Sequence, residues 1–198
     1  LTHDDLRSRE RYLNARNTLK NLLSLGVMPV VNENDTVVTD EIRFGDNDTL
    51  AALVANLIGA STVVLLTDQK GLFTSNPVKD ADAKLIPSAM SADQRLDEVA
   101  GDGGVLGQGG MFTKVNAARM AARSGASTVI ASGREVRCIS QLNQGLVTGT
   151  LIKSESDLLV ARKQWLAALP ALGVLHLDPG AARVIREHGR SVLAVGVE

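Results

Sequence analysis

The chain has 198 residues, with 21 basic and 22 acidic side chains and a formal net charge of -1. Apolar residues make up 44% and charged residues 22%, an ordinary globular balance with room for one sizeable core and a small second unit. Near-neutral charge excludes a long-range field for nucleic acid or an anionic membrane, and no apolar run reaches the roughly 20 residues of a membrane helix. No signal peptide opens the chain, and a single cysteine, Cys138, excludes an internal disulfide, so a cytoplasmic location is expected. The start at Leu1 and the end at Glu198 read as cuts within a longer polypeptide.

In chain order, Leu19, Leu22 and Leu23 sit at helical spacing and Gly26 stops that helix. Val27 to Val31 reads as a strand that is either short or at an edge, because Pro29 donates no ladder bond. Asn32-Glu33-Asn34-Asp35 closes it as a polar loop, and Val37 to Phe44 reads as a hairpin or flap. Gly45-Asp46-Asn47-Asp48-Thr49 is a loop-to-helix junction. Leu50, Leu53, Val54, Leu57 and Ile58 then predict an amphipathic helix that Gly59 stops.

Thr62 to Leu66 predicts a strand buried on both faces, left through Thr67-Asp68-Gln69-Lys70-Gly71. Residues 74–89 read as a surface excursion and Leu96 to Ala100 as the end of a short helix. After the glycine-rich stretch Gly101 to Gly110, Met111, Val115, Ala118 and Ala122 mark one helix face, Gly125 stops it, and Ser127 to Ala131 is another buried strand. Gly59-Ala60-Ser61-Thr62-Val63-Val64 echoes Gly125-Ala126-Ser127-Thr128-Val129-Ile130, one helix-to-strand device used twice. Strands alternating with helices predict an α/β fold, a mostly parallel sheet sandwiched by helices, with ligands beyond the carboxyl ends of the strands.

The predicted organisation is a main domain over 1–152, a charged amphipathic linker over 153–173, and a tail over 174–198. The tail reads as strand, turn, helix (Ala181 to His188) and strand, too little to bury a core of its own.

Three stretches carry candidate chemistry. Gly103 to Lys114 is rich in glycines that let backbone N–H groups approach a phosphate, and it leads into a helix whose positive end points the same way. Lys114 falls in the first turn. The spacing fits neither a P-loop nor a dinucleotide fingerprint, and a flexible loop with a solvated lysine explains the stretch equally well. Asn32-Glu33-Asn34-Asp35 and Gly45-Asp46-Asn47-Asp48 put carboxylates and amides at two junctions, which suits a small zwitterion. Helix capping explains the second cluster taken alone, and no ligand spacing names a metal. Asp68, at a strand's carboxyl end, can accept from nucleoside donors, or simply begin a turn. The three histidines show no pairing pattern, and Trp165 reads as packing.

Together these stretches resemble the amino acid kinase family, in its glutamate-phosphorylating branch. The match runs through Arg9-Glu10-Arg11-Tyr12-Leu13-Asn14-Ala15-Arg16, Pro29 to Asp35, Gly45 to Asp48, Leu65 to Leu72, Gly109-Gly110-Met111-x-Thr113-Lys114 and Ala161 to Trp165, in the family's order. The resemblance implies ATP-dependent phosphorylation of the γ-carboxylate of L-glutamate, the first step of proline synthesis. It implies that Asp35 and Asn47, with Asn32 and Asp46, bind glutamate, and that Thr67 and Asp68 contact the nucleotide. Gln108, Gly109, Gly110, Met111, Phe112, Thr113 and Lys114 would cradle its phosphates. Lys114 would stabilise charge in transfer, Asp48 would orient it, and Mg²⁺ would bridge the phosphates. Proline as feedback inhibitor, a homo-oligomer and a C-terminal PUA domain, begun by residues 174–198, are implied as well.

The sequence departs from the family in Gln108, in Phe112, and in lacking the family's N-terminal lysine loop and Ser-Gly-Ala loop. Residues 1–198 alone are therefore expected to turn over negligibly. A non-catalytic nucleotide- or glutamate-binding remnant and another member of the family are the alternatives, and an RNA-binding role lacks the basic patch it needs.

Overall fold

The computed structural model describes residues 1–2, 5–6, 8–33, 47–101, 110–146, 149–155, 173–174 and 176–188. Expectations for Asn34 to Asp46, Gly103 to Gly109, 156–172 and 189–198 lie outside the described residues. The chain divides into two compact units, Leu1–Ala168 and Leu169–Glu198.

In the first unit, α1 (Arg9–Ser24) and α2 (Asn47–Ile58) precede β1 (Thr62–Thr67). β2 (Ser88–Met90), α3 (Arg95–Ala100), α4 (Met111–Ala122), β3 (Ser127–Ser132), α5 (Cys138–Asn143) and β4 (Gly149–Lys153) follow. The strands form one sheet in the order β1-β3-β4-β2. β1 and β3 are parallel with Thr62 opposite Ser127, β2 and β4 are parallel, and β3 and β4 run antiparallel. The sheet is thus mixed and mostly parallel.

Alternation along the strands decides where the core sits. Val63 and Leu65 of β1, Ile130 of β3 and Ile152 of β4 are buried with Ala52 and Ala55 of α2 and Val115, Ala118 and Ala121 of α4. The small alanines bring both helices close to the sheet. Leu53 and Leu57 of α2 turn to a second cluster with Tyr12 and Leu19 of α1. There Tyr12 Oη donates to Asn56 Oδ1 at 3.0 Å, giving a buried amide a partner.

The helix stops are those the glycines predict: Gly26, Gly59 and Gly125 all take positive φ. Two expectations need correction. Val27 to Val31 enters no ladder; it runs on from α1 with Met28 and Val30 exposed to 86% and 96%. The excursion over 74–89 is tied to the sheet at its end by β2, and Thr150 of β4 holds it there. The Leu72 N–H donates to Thr150 Oγ1 at 2.8 Å, and that hydroxyl donates to the Ile86 carbonyl at 2.6 Å.

In the second unit α6 (Pro179–His188) is described. Asp178 caps it, its Oδ1 accepting from the Ala181 N–H at 2.8 Å.

Candidate functional site

α2 leads into β1 and α4 into β3, and β1 and β3 are parallel. A helix feeding a parallel strand runs back along the sheet, so both helix N-termini lie at the strands' carboxyl edge. The two first turns meet there. Lys114 Nζ of α4 donates to Asp48 Oδ2 of α2 at 2.9 Å, and these side chains are only 13% and 15% exposed. Thr113 Oγ1 lies 3.0 Å from the same Asp48 oxygen and 2.8 Å from the Gly110 carbonyl, and donates to one or the other.

Asp48 has the right sign for a helix N-terminus. Lys114 has the wrong one, by about 0.3–1 kcal/mol, which the contact with Asp48 offsets. The N-cap of α4 is Gly110 in an extended conformation, and among the described residues no side chain caps the first-turn N–H groups, which can therefore donate to an anion. α4 is fixed from behind by Arg119. Its guanidinium pairs in bidentate fashion with Asp97 and also donates to the Ser91 and Asp93 carbonyls. That guanidinium holds the Asp97 carboxyl below its ordinary value.

The other predicted residues distribute along this edge. Thr67 ends β1 and its hydroxyl donates to Asp68 Oδ1 at 3.1 Å, with Asp68 exposed. The Gly133 N–H donates to the Thr67 carbonyl at 2.8 Å, joining the ends of β1 and β3. A Cβ at Gly133 would lie in contact with the Leu66 Cβ at 3.4 Å, so this position packs closely on the end of β1. Sequence reading missed Gly133; a glycine directly after a buried strand was the signal. Met111 is half-buried and Phe112 is 39% exposed on the first turn of α4. Asn32 and Asn47, 15 residues apart in sequence, line one groove of about 350 Å³ beside α2. No direct contact joins Thr67 or Asp68 to Lys114 among the described residues. Asp35, Asp46, Gln108 and Gly109 lie outside the described residues, as does most of the glycine-rich loop.

Residues 1–132 match the model of the amino acid kinase family. Over its full 198 residues the chain is 61% identical to a glutamate 5-kinase of Chromohalobacter salexigens, covering 52% of that protein. It is 58% identical to a glutamate 5-kinase of Saccharophagus degradans, covering 53%. The chain thus spans about half the length of the curated relatives it matches. Among solved structures it resembles a UMP kinase from Bacillus anthracis at a TM-score of 0.50 and 18% identity, over 73% of this chain and 53% of that one, a likeness of fold alone.

Proposed function

Because the chain belongs to the amino acid kinase family, we propose that it forms the nucleotide-handling half of a glutamate 5-kinase, which transfers the γ-phosphoryl group of ATP to the γ-carboxylate of L-glutamate. A carboxylate oxygen forms the new bond to phosphorus while the bond to the bridging oxygen of the departing ADP breaks. What supports this reading in the molecule is the joint between Lys114 and Asp48. It fixes a largely buried cation at the N-terminal mouth of α4, where triphosphate charge would gather.

The donor set suits the phosphates of ATP: first-turn N–H groups of α4, the positive helix end and the Lys114 ammonium all offer hydrogen bonds to anions. Among the described residues no group of three acidic, histidine or cysteine side chains is assembled. A Mg²⁺ ion bound with the phosphates would supply charge neutralisation. Lys114 would hold the transferring phosphoryl oxygens, and Asp48 would fix where its ammonium points, aided by Thr113. Thr67 and Asp68 would accept from the nucleoside end. Asn47, with Asn32, Asp35 and Asp46, would bind glutamate; amides at a helix start suit its carboxylates.

The same reading gives a cytoplasmic enzyme, a homo-oligomer, proline as feedback inhibitor, and residues 174–198 as the opening of a PUA domain. No helix of the described residues is long and apolar enough to cross a membrane.

Calorimetric titration of the 198-residue chain with MgATP tests the site. Lys114→Met is expected to weaken binding by at least tenfold, about 1.4 kcal/mol, and Lys114→Arg to recover part of it. Equal affinity for all three proteins would remove Lys114 from the phosphate site. Binding of glutamate but not N-acetylglutamate at a second site is expected from the substrate assignment.

A further inference from the structure

α4 faces the core through Val115 and the alanines at 117, 118, 121 and 122. Small side chains let a helix lie close to a sheet, but they leave shallow ridges, so packing by itself resists sliding and rolling weakly. Two charged contacts add the grip that packing lacks, one toward each end of the helix. Near its start Lys114 reaches Asp48 of α2. In its last turn Arg119 reaches the connection after β2 and the first turn of α3.

The Arg119 guanidinium is held on several sides. It pairs with both Asp97 oxygens, its Nη2 lying 2.9 Å from Oδ2. Its Nε donates to the Ser91 carbonyl at 3.2 Å, and Nη2 donates to the Asp93 carbonyl at 3.3 Å. A planar fork bound in this way accepts one orientation, which a lysine ammonium would not enforce. The platform beneath it is itself anchored. The Ser91 N–H donates to the Lys153 carbonyl of β4 at 2.9 Å, and the Ala92 N–H donates to Glu155 Oε1 at 3.1 Å. Leu96 of α3 is buried in the same core cluster as Val115.

Asp97 is half exposed, and so open a pair adds only modestly to stability. Its consequence is geometric. Lys114 and Arg119 are five residues apart, about 7.5 Å along the helix axis and about 140° around it. The two side chains therefore grip different neighbours. With its last turn located by Arg119, α4 neither slides nor rolls, and Lys114 is delivered to one place on the rim.

We propose that Arg119 is a positioning residue for phosphate binding: clasped to Asp97 and to the Ser91 and Asp93 carbonyls, it sets where the Lys114 ammonium meets the triphosphate. Arg119 itself touches no phosphate; it acts through Lys114, and the proposal rests on the reading of Lys114 as the phosphate cation.

Calorimetric titration of the 198-residue chain with MgATP tests this, at a temperature where circular dichroism shows every variant folded. Arg119→Met is expected to weaken binding roughly fivefold, since small misplacements of a binding group are costly. Arg119→Lys keeps the charge but not the fork, and is expected to recover less than half of that loss. In a Lys114→Met background, Arg119→Met is expected to change the affinity by less than about twofold, because the position of an absent ammonium cannot matter. A merely structural role would give the same factor in both backgrounds. The NMR resonance of the Lys114 ammonium supplies a reading independent of nucleotide, and Arg119→Met is expected to shift it. If Lys114→Met loses affinity while Arg119→Met binds as wild type does, the positioning role is overturned and the kinase reading stands. Equal factors in the two backgrounds, or an unmoved Lys114 resonance, overturn it too. Equal binding by wild type and Lys114→Met overturns the reading of Lys114, and the proposal with it.

Discussion

The joint between Asp48 and Lys114 should be energetically coupled well beyond a surface ion pair. At 2.9 Å and an effective dielectric constant of 20 the gross Coulomb attraction is ~6 kcal/mol. Desolvation of two side chains that retain 13% and 15% exposure takes back most of it. The remainder should match a charged hydrogen bond, about 1.5–3 kcal/mol, against about 0.2–1 for an exposed pair. Asp48→Asn and Lys114→Met keep the shapes and remove one charge each. Each single variant should lose about 2–3 kcal/mol, and the double variant little more than either, because the second change removes a charge already left alone. The coupling expected from a urea-denaturation cycle on the four proteins is about 2 kcal/mol. It should survive 1 M salt, where the screening length of ~3 Å acts on exposed charges far more than on these. A coupling below about 0.5 kcal/mol, or one that salt erases, would refute the claim that the two first turns are locked together.

Other perturbations read the frame behind the site. Asp97→Asn should lower the melting temperature at pH 7, because Arg119 depresses the Asp97 carboxyl in the folded state. That stabilisation is present above the unfolded carboxylate value and lost as pH falls through the folded one, so the wild-type and variant melting curves should converge once the pH is below both values; a gap that persists there would mean packing, not charge. Thr150→Val strands the buried Leu72 N–H and should cost about 2–3 kcal/mol by chemical denaturation. Gly149→Ala places a Cβ 2.3 Å from the Ile130 carbonyl oxygen, and should cost about 3 kcal/mol as β4 is pushed from β3. Thr128→Val should do the opposite: the Thr128 hydroxyl is buried without a partner, and an isosteric methyl there should stabilise by about 1 kcal/mol.

The elements legible in the sequence are those whose signals are local. α2 and α4 each combine a clear apolar pattern with a glycine stop, β1 and β3 are continuous apolar runs rich in β-branched residues, and all four appear with boundaries within a few residues of those predicted. β2 and β4 carry no local strand signal. β2 has three residues, and its identity rests on a ladder to β4, more than 60 positions away, which no local pattern encodes. α5 begins after Arg137, a non-glycine residue at φ 62, where the chain turns without the usual stop signal. Val27 to Val31 carries a strand's composition but no ladder. Composition states what a segment can do, whereas pairing needs a partner at the right distance.

The site shows the same division. That Asp48 and Lys114 act together entered through resemblance, and no spacing in the sequence links positions 66 apart. What makes them meet is that both stand in the first turn of a helix that returns along one of two adjacent parallel strands. The repeated device, Gly-Ala-Ser-Thr running into each strand, hints at this pairing but misstates its register. By sequence Thr62 corresponds to Thr128, yet in the sheet Thr62 faces Ser127 and Val63 faces Thr128. A one-residue offset exchanges the faces of a strand, so Thr128 rather than Val129 turns toward the helix layer with its hydroxyl unsatisfied. The sheet keeps that offset because it sets Thr67 level with Ser132 and lets Gly133 close over the Thr67 carbonyl. Correcting the register to bury Val129 would slide the Gly133 bond off Thr67 and misalign the rim where Asp68 stands. The buried hydroxyl is thus a local cost borne by the alignment of the carboxyl edge. For that reason Thr128→Val should gain stability without moving Thr67 or Asp68, and a variant that gained stability by shifting β3 along β1 would show the alignment to be incidental.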